Sequence, residues 1–110
     1  MNHVTASATQ SLCHDDLKRV FAAAAVCFDR LYIHGGCREG AGKLLQPLCD
    51  ILLFDYATNS VGQVPIATIS PMLCKHQMRS INHKLIAVGG WDGLKRRNAV
   101  WAFDTRFVQT

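Results

Sequence analysis

Three groups of residues in this chain are of types that do chemistry or grip a partner. They are five histidines with five cysteines, a glycine-rich loop ending in lysine, and a basic run near a tryptophan. The histidines and cysteines would suit a zinc ion or a thiol nucleophile. Small zinc sites draw on tight pairs such as Cys-x₂₋₄-Cys or His-x₃₋₅-His. Here the juxtapositions are Cys13-His14 and His34-Gly35-Gly36-Cys37, with no second pair, so no metal is expected. A Cys-His nucleophile needs a base, an orienting partner and oxyanion donors. Cys37 and His76 could meet only through the fold, and no catalytic residue is assigned. These side chains read as buried filler.

The stretch Arg38-Glu39-Gly40-Ala41-Gly42-Lys43 has the look of a phosphate loop. A P-loop requires Gly-x₄-Gly-Lys, then Ser or Thr, then a helix. Leu44 follows the lysine and Pro47 stops a helix, so the segment reads as an exposed, flexible loop. Lys95-Arg96-Arg97 lies in a corresponding later loop, behind Trp91. Trp and Arg are enriched among residues that dominate interfaces. Trp91, Lys95, Arg96, Arg97 and Arg38 are therefore the candidate partner-binding residues.

The elements that must position these loops come from an internal repeat, which a sequence search should seek first. Leu31-Tyr32-Ile33-His34-Gly35-Gly36 aligns with Leu85-Ile86-Ala87-Val88-Gly89-Gly90, and Ile51-Leu52-Leu53-Phe54-Asp55 with Val100-Trp101-Ala102-Phe103-Asp104. The Gly-Gly pairs are 54 positions apart and the Phe-Asp pairs 49, so the first copy has the longer loop. Upstream, the apolar run Phe21–Val26 leads into Asp29-Arg30, and Cys74–Ile81 leads into the hairpin turn Asn82-His83. Each copy reads as strand, tight turn, strand, Gly-Gly, variable loop, strand, and Asp at the next turn. Runs that do not alternate suggest strands buried on both faces. Asp15–Ala24 also has the marks of a capped helix, but the second copy favours a strand over Ala22–Cys27. Trp101 and Phe103 read as core. Two prolines in Gly62–Pro71 argue against a central strand there.

Composition narrows the function. In 110 residues the net charge is +4 and the pI near 9.0, but only Lys95–Arg97 is a dense cluster, so nucleic-acid binding is not expected. Met1–Thr5 lacks the basic start and apolar run of a secretory signal, and Ala22–Phe28 is too short to span a bilayer. A cytoplasmic protein without membrane contact is expected. The odd number and wide spacing of the cysteines fit free thiols in a reducing compartment.

With these motifs in place the chain resembles the kelch-repeat proteins. The resemblance covers roughly residues 18–106. It rests on Leu-Tyr-Ile-His-Gly-Gly, on Leu-Ile-Ala-Val-Gly-Gly-Trp-Asp-Gly, on the strands ending in Asp, and on Asp55-Tyr56-Ala57-Thr58-Asn59. It implies an all-β fold of about two four-stranded antiparallel propeller blades, the second truncated and the propeller incomplete. The implied organisation is a lead-in over 1–17, one repeat over 18–64, a linker over 65–74 and a second repeat over 75–110. The family's usual Trp six positions after the Asp is replaced by Val61 in the first copy and Thr110 in the second, which weakens the fourth strands. About three repeats are the minimum for stability in a stacked array. A fragment of a longer protein is therefore expected, marginally stable alone and open to self-association through its blade edges. The resemblance implies a non-enzymatic protein-interaction module without a cofactor. It could be a substrate-recognition adaptor of a ubiquitin ligase or an actin-binding scaffold, its partner held by the inter-strand loops. The rival readings are a piece of a kelch-propeller enzyme of the oxidase or epimerase type, and a remnant without independent function.

Overall fold

A computed structural model describes residues 14–65 and 70–106. The fold is all-β, opened by a single 3₁₀ turn over Asp15–Leu17. The first sheet contains β1 (Ala23–Cys27), β2 (Arg30–His34), β5 (Ile51–Asp55) and β6 (Ser60–Gln63), antiparallel throughout in that order. A small hairpin, β3 (Glu39–Gly40) and β4 (Lys43–Leu44), stands in the loop between β2 and β5. The second sheet orders β7 (Gln77–Ile81), β8 (Lys84–Val88) and β9 (Val100–Asp104). Among the described residues none of the sheets closes on itself, as expected of incomplete propeller blades.

The repeat holds at the level of single hydrogen bonds. Val20 and Cys37 exchange backbone bonds of 2.8 Å; Cys74 and Trp91, 54 positions on, exchange bonds of 2.9 and 3.0 Å. Gly35 N–H donates to the Asp50 carbonyl and Gly89 N–H to that of Ala99, both at 3.2 Å. Phe21 and Lys75 both sit at positive φ, 61° and 59°, so each copy enters its first strand through the same kink. Asp55 and Asp104 each accept from the backbone N–H two residues on, at 2.9 and 3.0 Å, closing equivalent Asx turns.

Tertiary context decides the alanine run. Ala is the best helix former, yet Ala23–Cys27 is a strand packed on β7. Ala23, Ala25 and Cys27 turn inward, and such small side chains let the two sheets approach closely. Tyr32, Ile51 and Leu53 of the first sheet complete that face, against Met78, Leu85, Ala87 and Phe103 of the second. Phe103 is thus core as expected, while Trp101 is half-buried and stacks on His34 with centroids 5.0 Å apart.

Two local expectations are corrected, and one weakly marked strand is found. The first turn is Phe28-Asp29 rather than Asp29-Arg30, because both residues adopt the positive φ (48° and 65°) that a two-residue hairpin turn demands. The 38–43 loop is ordered as the β3–β4 hairpin, its turn made by Ala41 and Gly42 at φ 52° and 75°. The first copy does have its fourth strand. β6 runs on the sheet edge and stops before Pro65, where a missing N–H costs nothing. The corresponding strand of the second copy would fall on 107–110, outside the described residues, as do 1–13 and 66–69.

One ion pair fixes the entry to the first sheet. Arg19 grips Asp50 with two parallel bonds, Nη1 to Oδ1 at 2.7 Å and Nη2 to Oδ2 at 3.0 Å, and also donates to the Gly35 and Asp16 carbonyls. Its side chain is only 2% exposed. Burial acts to raise the Asp50 pKa, but the Arg19 hydrogen bonds and charge outweigh it and hold the carboxyl below its usual range. Arg19→Leu would leave that carboxylate and two carbonyls unpaired. We expect a loss of about 3 kcal/mol in a urea melt, with Arg19→Lys intermediate because an ammonium cannot make the fork.

Candidate partner-binding cleft

The second copy's loop, residues 91–99, is built around Asp92. Its carboxylate accepts from the N–H groups of Leu94 and Lys95 at 2.8 and 2.9 Å, and its N–H donates to the Lys95 carbonyl at 3.1 Å. Those N–H bonds, the first of them from Lys95, hold the Asp92 carboxyl below its usual pKa, so it stays ionised and the loop stays closed. Gly93, at φ 99°, makes the bend and meets the Gln46 side chain. Gln46 Nε2 donates to the Asp92 carbonyl at 3.2 Å, which ties the first copy's loop to the second's.

Between these loops lies a cleft of about 500 Å³ lined by Leu44, Lys75, Gly90, Trp91, Arg96 and Arg97. Trp91, Arg96 and Arg97 of the candidate residues are therefore brought to one place. Lys95 is exposed beside them on the loop. Arg38 is not among them. It lines a separate cleft with Arg19 and Val20, and its guanidinium bonds the Asp15 carbonyl at 3.2 Å and faces Asp16 at 3.6 Å. Arg97 reaches Asp92 Oδ2 at 3.4 Å, a long and partly exposed contact. Lys75 extends over the Phe21 ring, 4.8 Å from its centroid.

Sequence reasoning missed Lys75 and Leu44. Lys75 enters the cleft because its positive φ redirects the chain just before β7. A lysine in that conformation leaves no compositional mark. Leu44 is supplied by the hairpin that the sequence presented only as a glycine-rich loop.

The histidines and cysteines form a second cluster, buried between the sheets. His34 Nδ1 and His76 Nε2 are 2.8 Å apart and share a hydrogen bond, and His34 Nε2 is 3.0 Å from Ser70 Oγ. His34 is fully buried, and burial, then His76, lowers its pKa to about 4. Burial also lowers that of His76. Both rings are neutral at physiological pH. Cys37 is fully buried, as is Cys74, and burial, followed by the neighbouring Cys37 thiol, pushes the Cys74 thiol up. A protonated, buried thiol is a poor nucleophile. The four described cysteines, Cys27, Cys37, Cys49 and Cys74, are all unbridged.

The geometry defines a repeat protein of antiparallel blade-like sheets stacked face to face, with a basic, aromatic cleft at its loop end. Residues 72–107, the second copy, match the family model of the Kelch motif. The chain is 33% identical over 90 residues to mouse (Mus musculus) Kelch domain-containing protein 9, and 32% over 90 residues to the human (Homo sapiens) protein of that name. Each match takes in 81% of this chain and 25% of the relative. The second copy thus matches a Kelch motif, and the chain spans about a quarter of the length of the curated relatives it is similar to.

Proposed function

We propose that this chain is a non-enzymatic protein-interaction module whose cleft takes an acidic segment of a partner protein. The observation that carries the reading is the convergence of Lys75, Arg96 and Arg97 on one cleft with Trp91 and Leu44. Three cations beside an indole and an apolar wall suit a carboxylate-bearing peptide with one apolar anchor. Charge complementarity of this kind sets specificity and association rate, and aromatic and arginine side chains supply the binding energy. Lys95 stands on the rim, where a charge acts mainly on association rate. Arg38, which lines a separate cleft, is at most an accessory contact. Recognising substrates for a ubiquitin ligase and scaffolding actin are the two roles that the kelch resemblance implies for such a surface. Buried free thiols support a reducing, cytoplasmic setting.

The test uses fluorescently labelled synthetic peptides rich in Glu, each with a single Leu or Trp, and basic peptides of the same anchor. Binding of the acidic set should weaken with salt. Arg96→Glu with Arg97→Glu should lower their affinity at least about tenfold, or about 1.4 kcal/mol, and Arg38→Glu should change it far less. Equal binding of acidic and basic peptides, or affinity untouched by the double reversal, would remove the cleft from consideration.

A further inference from the structure

The two loops that frame the cleft also carry side chains that do not line it. On the β3–β4 hairpin and the residue after it these are Lys43 and Leu45; on the 91–99 loop they are Leu94 and Lys95. Each tip offers one leucine and one lysine, and all four are exposed. Leu94 is the most open large apolar residue among those described, at 89%, and Leu45 is 50% exposed. Single apolar residues on a surface are ordinary. These two differ because the loops beneath them are braced and joined. Asp92 accepts from the Leu94 and Lys95 N–H groups, and the Arg97 N–H closes the loop base on the Gly90 carbonyl at 2.7 Å. The Leu45 N–H closes the hairpin on the Arg38 carbonyl at 2.8 Å. Gln46 then bonds the Asp92 carbonyl and lies against Gly93, so both tips stand at one end of the molecule. A leucine on a fixed backbone leaves little ordering cost to meet on contact.

The charge around the tips has one prevailing sign. Lys43, Lys75, Lys95, Arg96 and Arg97 are exposed there. Against them stand Glu39 and an Asp92 whose carboxylate is taken up by the loop's own N–H groups and by Arg97. Apolar tips set among cations match the interface of an anionic bilayer. There the lysine heads meet lipid phosphates and carboxylates while the leucines enter the acyl boundary. A peptide confined to the cleft touches neither leucine, and a flat acidic protein surface satisfies the lysines but leaves the leucines wet. We infer that the two tips dock this end of the chain on an anionic membrane surface, with Leu94 and Leu45 entering the headgroup boundary and Lys43 and Lys95 beside them. Such a contact lies on the bilayer and needs no spanning segment, so it replaces the expectation of no membrane contact. It does not rest on the peptide reading, since none of the four residues lines that cleft.

Co-sedimentation of the whole chain with extruded vesicles reads the outcome. Vesicles of phosphatidylcholine with about one third phosphatidylserine should bind it, and phosphatidylcholine alone should bind it at least about tenfold less. Raising the salt should release it. Leu94→Ser should lower the partition coefficient at least about fivefold. Leu94→Trp keeps an apolar group suited to the interface and should bind at the wild-type level or above. Lys43→Glu with Lys95→Glu should lower the coefficient at least about tenfold. All these positions are exposed, and circular dichroism with a urea midpoint close to wild type verifies folding. Leu94→Ser should bind acidic peptides as the wild type does, which separates the tips from the cleft. Absence of binding to the phosphatidylserine vesicles would overturn the inference. So would equal binding to both vesicle types, or Leu94→Ser binding like wild type, which would reduce the contact to charge alone.

Discussion

Gly35→Ala should destabilise the chain by about 3 kcal/mol or more, whereas Gly89→Ala, at the equivalent place in the second copy, should cost only about 1 kcal/mol. Both glycines sit in the left-handed region, at φ 72° and 70°, and a methyl group there is strained to a similar extent. Their surroundings differ. A Cβ on Gly35 would run into the Leu73 carbonyl oxygen and lie 3.0 Å from His76 Cε1 and 3.3 Å from the Leu48 carbonyl. A Cβ on Gly89 would meet only the Arg97 carbonyl, at an ordinary 3.8 Å. Backbone oxygens cannot swing aside as side-chain ends can. Gly35 lies where the chain leading into the second sheet crosses the first: its neighbour Gly36 donates to that same Leu73 carbonyl at 2.8 Å. Urea unfolding of the two variants in parallel checks this, since backbone strain is common to both and cancels. Equal losses would mean that the crossing point yields more easily than its packing implies.

Acidification should loosen the junction between the sheets well before carboxylates begin to protonate. The pKa of His34 falls from 6.5 to about 4 on burial. A group whose folded pKa is depressed favours the neutral form in the native state. Its contribution is complete above pH 6.5, and it is lost as the pH falls from there toward 4. At 1.36 kcal/mol per unit, His34 alone accounts for about 3 kcal/mol over that window. His76, shifted in the same direction, adds to it. The charged groups acting on His34 are Asp50, which favours protonation, and Arg19, which opposes it; they already neutralise each other as an ion pair. No carboxylate is free to receive a buried imidazolium. His76 Nδ1 has no partner among the described residues. Urea midpoints at pH 7.5 and 5.0 should therefore differ strongly, and an NMR titration of His34 should show a midpoint near 4. A ring titrating at its ordinary value would mean that water reaches the junction.

The repeat was legible because its signals are local. Doubled glycines are required where φ is positive and another backbone passes close, and Gly36 and Gly90 satisfy both conditions. Strand-end aspartates close Asx turns within two residues of themselves. These demands leave marks in a single sequence. The β6 strand left little, because an edge strand containing Gly62 and lacking an aromatic residue carries a weak pattern. The alanine run pointed two ways, and packing on β7 settled it. The loop site was legible in part. Trp91, Arg96 and Arg97 share a loop, so their nearness follows from chain connectivity. Lys75 reaches them through a backbone kink, and Leu44 from the other copy. Arg38 lies in the same loop as Leu44 but lines the other cleft, beside Arg19 and Val20. The His34–His76 pair joins residues 42 positions apart, and no local pattern announces it.

The unequal loop lengths have one further result. The longer connection in the first repeat carries Leu44 and Gln46 across to its neighbour, where one walls the cleft and the other steadies the loop that supplies the cations. On the proposed function, the second unit's recognition surface is thus partly written by the first. Insertions and substitutions in a connector far from any core strand can retune what the adjoining unit binds while leaving both scaffolds untouched. On that proposal, the ligand preference of the second unit is shared with the first rather than owned by one module.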